Sequence, residues 1–451
     1  MKKIKRRAYS IFLLVAVIPI LLTVFLFRVA GDGEDWLTRY PSISHNVFTR
    51  GQLSLGTVYD RNGVILMASG DGPVQFHENP EVRRATMHVL GDRGGNIATG
   101  VTHRAAYRDL LIAYDFISGT YSIGGTGGRL QLTIDAELSR VANQALAGRP
   151  GAVVVMNYET GEILVAVSAP NYDPLNRPEI RENDPNFTDV YLSRVFSYFY
   201  VPGSVFKIVT AAAALDTYAD ALGRTYRCNG GVVVMGHNVR CTGNHGTIGL
   251  EEAMRVSCNP YFAQLALDLG GNRMLSYTEQ FGLNQPHHVG RIPVMAGNFE
   301  AGEPGTPDLA WSGAGQGRNL VNPLAMTRFM AAIARGGEVI EPRLLECYSG
   351  GLIPRRYESE LGERIMDAGV ASNLSWILRT SAPSASFPGL DVAGKTGTAE
   401  VADGAPHAWF VGFLNDPDHP LAFAVVVEHG GGGLAQAVPV ANAVLQAAVQ
   451  G

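Results

Sequence analysis

The pattern of apolar and polar positions divides the chain into three stretches. Residues 8–27 are twenty consecutive positions without a charge. A helix over them is about 30 Å long, the thickness of a bilayer core. Lys2, Lys3, Lys5, Arg6 and Arg7 precede the run and predict a cytoplasmic N-terminus. The run is long for the apolar part of a cleaved signal, and Arg28-Val29-Ala30 is a poor cleavage site. The expected organisation is a cytoplasmic tail over 1–7, one uncleaved transmembrane helix over 8–28, and an exported remainder.

Residues 29–129 carry frequent turn signals and read as a stalk or spacer. Within it, Asn62-Gly63 between two apolar β-type runs predicts a hairpin over 56–66. Residues 91–100 read as a loop, 104–116 have helical spacing, and the glycines of 124–128 read as a linker. From 130 the pattern changes. Residues 130–134 are strand-like, and Asp135 is placed to cap a helix running to about 147. Two β-rich runs, 151–157 and 162–168, form a second hairpin. Helical patterns then dominate to about 380. β-runs return at 391–400, 408–414 and 421–428, and a last helix covers about 438–449. This order predicts an α+β domain over 130–451, with the terminal helix packed on a central antiparallel sheet.

Composition adds bounds. A chain of 451 residues, 46% hydrophobic and 17% charged, has the means for a large core and little disorder. The formal net charge is −5; the basic tail contributes +5, so the body is acidic and speaks against nucleic acid as partner. The four cysteines, Cys228, Cys241, Cys258 and Cys347, form no CxxC pair, which argues against a zinc site. Cys228 and Cys241 flank a strand-like stretch, 230–240, and could form a disulfide outside the cytoplasm; unpaired buried thiols are the plainer reading. His245, His287 and His288 lack ligand spacing and read as structural or surface residues. No metal and no cofactor is expected.

Lysine usage changes the picture most. The chain has five lysines among 36 basic residues, and three of the five sit in the N-terminal tail. Only Lys207 and Lys395 remain in the body. A lysine can lose its proton when buried, whereas an arginine in effect cannot. Lys207 stands three residues after Ser204, where Pro202-Gly203 opens an apolar helical stretch. On a helix such a pair shares a face. The helix N-terminus offers free N–H groups, and a desolvated lysine takes a proton. An N-cap serine with a snorkelling lysine is the plain alternative. Lys395 lies in Gly394-Lys395-Thr396-Gly397-Thr398, where a point charge, hydroxyls and glycines suit a carboxylate on a strand. Between them, Ser257-Cys258-Asn259 follows a helical stretch over 250–255.

In this order the three motifs resemble the penicillin-binding protein and serine β-lactamase superfamily, whose signature is S-x-x-K, then S-x-N or S-D-N, then K-T-G. Tyr200 to Lys207, Gly315-Gln316-Gly317 before Asn322-Pro323-Leu324, and His407 to Gly412 also look like segments of its transpeptidase domain. So do Leu132 to Asp135 and Thr160 to Leu164. Arg50-Gly51 and Asp60-Arg61-Asn62-Gly63 resemble the pedestal of the class B, monofunctional members. The resemblance implies a peptidoglycan D,D-transpeptidase with Ser204 as nucleophile, Lys207 as its base and Ser257 as proton shuttle. Asn259 would hold the substrate amide. Lys395, Thr396, Gly397 and Thr398 would bind the terminal carboxylate of a D-Ala-D-Ala stem peptide. β-Lactams would be inhibitors, water as acceptor would give a carboxypeptidase, and a multi-span glycosyltransferase would be the membrane partner. Cys258 departs from the usual middle residue of its motif and is expected to pack inward. A β-lactamase or β-lactam sensor on the same fold, and a scaffold for a glycan polymerase, are the alternatives.

Overall fold

The computed structural model describes residues 56–69, 74–92, 94–102, 128–349 and 354–450, the pairs 114–115 and 120–121, and residues 5, 9, 12 and 15–26 near the N-terminus. Residues 15–26 are helical, and among the described residues no helix is long and apolar enough to cross a membrane. The rest of the expected span and most of the 124–128 linker lie outside the described residues. Of the helix expected over 104–116, only Tyr114–Asp115 is described, and it pairs as a strand with Thr120–Tyr121. Tyrosine and threonine favour that extended pairing over helix.

The centre of the fold is a five-stranded antiparallel sheet. Its strands lie in the order Val392–Ala399, His407–Leu414, Leu421–Val427, Gly151–Asn157, Ile163–Ala169. Alternate side chains feed two cores. Val153, Val155, Phe410, Phe423 and Val425 face the helices Ala136–Leu146 and Gly433–Gln450. Val154, Met156, Trp409, Val411 and Ala424 face the helices Lys207–Thr217 and Pro323–Ala334. Such period-two burial on both faces explains why these strands read as nearly continuous apolar runs. The α+β fold with a central antiparallel sheet is as the sequence predicts, and Asp135 caps its helix by accepting from the backbone N–H of Glu137 and Leu138.

Three elements depart from expectation. The terminal helix starts at Gly433, several residues early, because glycines and Pro439 mask its pattern. A Cβ at 433 would lie 2.3 Å from the carbonyl oxygen of Trp409, so only glycine lets the helix meet the sheet there. The helix Pro80–Leu90 lies in the supposed spacer; Asn79 caps it and Pro80 opens it. Its pattern is hidden by buried polar residues, among them Arg83, which forks onto Asp173 at 2.6 and 2.7 Å. The helical region also holds short antiparallel strand pairs, the hairpin Gly231–Val234 with His237–Arg240 and, around it, Tyr226–Cys228 with Gly246–Ile248.

The hairpin at Asn62-Gly63 forms between Gly56–Tyr59 and Ile65–Ser69, and Gly63 takes φ +81°. It joins a second sheet that also contains Arg129–Leu132 and Leu345–Ser349. Asp60 is the pin. Its buried carboxylate accepts from the N–H of Asn62 (2.8 Å) and Val64 (2.7 Å), and from Ala136 (3.2 Å) in the first turn of the Ala136–Leu146 helix. Asp60→Ala leaves these donors short of a partner and is expected to lower stability by about 1–3 kcal/mol. A thermal melt checks this; an unchanged melting temperature would show that the pin is not holding the two parts together.

Candidate active site

Ser204 lies in a single 3-10 turn, Gly203–Phe206, that runs directly into the helix Lys207–Thr217. The helix is buried all round through Lys207, Ile208, Val209, Thr210 and the alanines 211–214. The tight turn is possible because residue 203 is glycine: its φ is +56°, and a Cβ there would lie 2.6 Å from the Thr398 carbonyl oxygen. The approach to the turn is also fixed. Asn322 caps the Pro323–Ala334 helix through Oδ1, while its Nδ2 donates to the carbonyls of Val195 (3.0 Å) and Tyr198 (2.8 Å). The Trp409 indole donates to the Val201 carbonyl at 3.0 Å.

Lys207 joins the first two motifs. Its Nζ lies 3.0 Å from Ser204 Oγ, 3.1 Å from Ser257 Oγ, 2.7 Å from the Ser257 carbonyl oxygen and 2.7 Å from Asn259 Oδ1. The residue is fully buried, and no carboxylate is among its hydrogen-bond partners. Burial, and then the neighbouring positive charge of Lys395, hold its amine well below the ordinary lysine range. A neutral amine has two N–H groups and one lone pair. The two shortest contacts, to the Ser257 carbonyl and Asn259 Oδ1, take the N–H groups and leave the lone pair for a hydroxyl proton.

Ser257 follows the helix Leu250–Arg255 and holds φ +56°, a left-handed conformation that a serine rarely adopts. Asn259 opens the next helix, Asn259–Leu269, and its Nδ2 donates to the Arg240 carbonyl at 3.0 Å. The third motif lies on the edge strand Val392–Ala399 of the central sheet. Thr396 and Thr398 share one face of it, half-buried and exposed, while Lys395 is buried and its Nζ donates to the Thr396 carbonyl at 3.1 Å. Burial brings Lys395 down to about 8. The Thr398 carbonyl accepts from Gln316 Nε2 at 3.3 Å, off the sheet. In an antiparallel strand a residue's N–H and C=O point the same way, so the Thr398 N–H also faces the free edge beside Ser204.

All the residues singled out from the motifs thus lie around the start of one helix. Two further supports, Arg194 and Glu428, lie outside every segment singled out from the motifs. Arg194 and Tyr200 both bind Glu428 at 2.6 Å, beneath the turn that carries Ser204. They are more than two hundred residues from that partner, and no local spacing points to it.

Unpaired thiols, the plainer reading of the cysteines, are what the structure holds. All four are free thiols, so Cys228 and Cys241 form no disulfide. Cys228, Cys241 and Cys258, with His245, instead form one cluster of a kind that can hold a metal ion. The missing CxxC pair is therefore no argument against a metal here. Cys258 is fully buried, as the inward packing expected of it requires.

The profile of the penicillin binding protein transpeptidase domain matches residues 151–446. The chain belongs to this family. The peptidoglycan D,D-transpeptidase PbpA of Mycobacterium tuberculosis is 30% identical over 499 aligned residues, which cover 99% of each chain. The peptidoglycan D,D-transpeptidase MrdA of Acinetobacter baumannii is 29% identical over 69% of this chain and 52% of its own. Among solved structures, the imipenem acyl-enzyme complex of penicillin-binding protein A from M. tuberculosis superposes with a TM-score of 0.77 at 26% identity. It covers 89% of this chain and 99% of that one.

For a transpeptidase-family chain the contact between Gly203 and the edge strand is a direct test of positioning. In Gly203→Ala the added methyl group collides with the Thr398 carbonyl and moves Ser204 away from the strand. Labelling by fluorescent penicillin is expected to slow by on the order of 100-fold while the circular dichroism spectrum is kept. Unchanged labelling would mean that the turn and the strand are not a fixed unit.

Proposed function

We propose that this chain is a peptidoglycan D,D-transpeptidase that acts through an acyl-enzyme on Ser204. The observation that carries the proposal is the Lys207 amine, buried and within hydrogen-bond distance of both Ser204 Oγ and Ser257 Oγ. In this reading Ser204 Oγ attacks the carbonyl between two terminal D-alanines, and its proton passes to Lys207. Ser257 then relays a proton to the leaving amine of D-alanine. An amine from a neighbouring stem peptide takes the acyl group and returns Ser204 to its hydroxyl form; water in its place gives a carboxypeptidase side reaction.

The remaining residues hold the substrate. Asn259 has one Nδ2 hydrogen beyond the bond to Arg240, free for the substrate's backbone carbonyl. The free edge of Val392–Ala399 suits an extended peptide. Lys395, Thr396 and Thr398 take its terminal carboxylate, and Gly397 leaves room for it. The N–H groups of Ser204 and Thr398 face the developing oxyanion. β-Lactams carry a carboxylate and a strained amide in place of this dipeptide and are expected to acylate the same serine.

A β-lactamase needs a group that activates the deacylating water. Glu252, near the second motif, is taken up by Arg255 at 2.6 and 2.7 Å, which favours the transpeptidase over that alternative. The same proposal includes residues 1–7 as a cytoplasmic tail, 8–28 as a single membrane anchor, 29–129 as the pedestal and 130–451 as the catalytic domain outside the membrane. A multi-span glycosyltransferase would supply the glycan strands.

Fluorescent penicillin and mass spectrometry test the nucleophile. One long-lived adduct on Ser204, absent from Ser204→Ala, is expected; rapid release of the hydrolysed drug would favour the lactamase instead. A pH profile tests the clamp. Lys395 binds a carboxylate only when protonated, so the second-order rate constant for acylation by a carboxylate-bearing β-lactam should fall as pH rises through about 8. Lys395→Arg keeps its charge at that pH and should remove the limb. A limb near 8 that persists in this variant would assign it to another group.

A further inference from the structure

Three of the chain's four cysteines and one histidine meet behind the second motif, and the reaction uses none of them. Cys228 ends the strand Tyr226–Cys228, Cys241 follows the hairpin strand His237–Arg240, His245 precedes Gly246–Ile248, and Cys258 stands between Ser257 and Asn259. Their four candidate ligand atoms lie within 4.8 Å of one another. His245 Nδ1 is 3.6 Å from the sulfurs of both Cys228 and Cys241, and the sulfurs of Cys241 and Cys258 are 3.9 Å apart. A tetrahedral zinc ion with Zn–S near 2.3 Å and Zn–N near 2.0–2.1 Å requires edges of about 3.8 Å between sulfurs and about 3.6 Å from sulfur to nitrogen. The three separations of 3.6, 3.6 and 3.9 Å match edges of that tetrahedron. Hydrophobic packing of thiols asks for no such spacing, and a disulfide would pair only two of the three.

We propose that Cys228, Cys241, His245 and Cys258 bind one structural zinc ion that holds the Ser257–Asn259 loop in place. Four protein ligands close the coordination sphere, which is the form of a structural site and not of a catalytic one. Three thiolates and an imidazole select zinc over calcium or magnesium. The positioning role follows from two contacts and rests on the reading that gives Ser257 and Asn259 their part in the reaction. Cys258 separates these residues, so an ion on its sulfur fixes the backbone between them. Cys241 follows Arg240, whose carbonyl accepts from Asn259 Nδ2, so the same ion fixes the partner of Asn259. The left-handed backbone of Ser257 persists only where its surroundings hold it, and the ion would do that.

The test uses the full-length chain in detergent, purified without added metal or chelator. Elemental analysis is expected to find close to one zinc per chain. It should remain in Cys347→Ser, whose thiol lies elsewhere beside Gln131, and be lost from His245→Ala and Cys241→Ser. Cobalt exchanged into the site should show the visible bands of a tetrahedral thiolate centre, a readout that does not depend on catalysis. Stripping the ion should slow acylation of Ser204 by fluorescent penicillin roughly 10-fold or more, and added zinc should restore it. Protein that holds no metal and takes up neither zinc nor cobalt would overturn the site. So would a disulfide among these cysteines in the active protein. Normal acylation by the stripped, still-folded protein would overturn the positioning role. A zinc-loaded protein that leaves Ser204 unlabelled would instead sink the functional proposal and leave the metal site standing.

Discussion

A lysine buried without a carboxylate is the constraint on which the rest of the site depends. A charged ammonium in such a place is costly, and the cost is relieved by giving up the proton. Lys207 can be neutral only while water is excluded, and the apolar helix that follows it provides that exclusion. Its contacts can be satisfied only while Ser204, Ser257 and Asn259 stay within about a hydrogen bond of one point. The four groups come from two segments about fifty residues apart, so the burial that lowers the Lys207 amine also requires the fold to keep those segments in register.

The sheet supplies one side of that register. Its edge strand presses on Gly203 with no space for a side chain, and Gln316 donates to the same Thr398 carbonyl. Trp409, buried in the next strand, ties down Val201. Ser204 therefore sits on a turn fixed by backbone contacts, which leave less freedom than a side chain on a loop would. Lys395 lies on the same strand, and its charge disfavours a second cation at Lys207. One strand thus carries Lys395, Thr396 and Thr398 and helps to hold the Lys207 amine below its ordinary range.

Much of this was legible in the sequence because burial on both faces of a sheet writes itself as long apolar runs. The five strands of the central sheet read that way, and so did the hairpin at Asn62-Gly63, where turn chemistry is local. The scarcity of lysine made Lys207 and Lys395 visible. The helix Pro80–Leu90 was not legible, because buried Arg83 and His88 break its apolar stripe and are satisfied by distant partners, Asp173 and the Val190 carbonyl. The strands near the second motif span only three or four residues, too few for a period to show.

The cysteine cluster lies at the limit of that legibility, and the reason is instructive. A zinc site is recognised in sequence when two ligands share a tight turn, and here Cys241 and His245 are four apart, while Cys228 lies thirteen residues before the one and Cys258 thirteen after the other. The ligands are brought together by the hairpin Gly231–Val234 with His237–Arg240, which is itself too short to read. Cys258 then looks like an odd residue within a motif when judged by its neighbours, and like one corner of a tetrahedron when judged by the fold. Both descriptions meet at Ser257: the loop that holds a left-handed serine against Lys207 is the loop to which the thiols are attached. The contacts of Lys207 hold only while that loop stays in place, and the proposed zinc ion would act on that same loop.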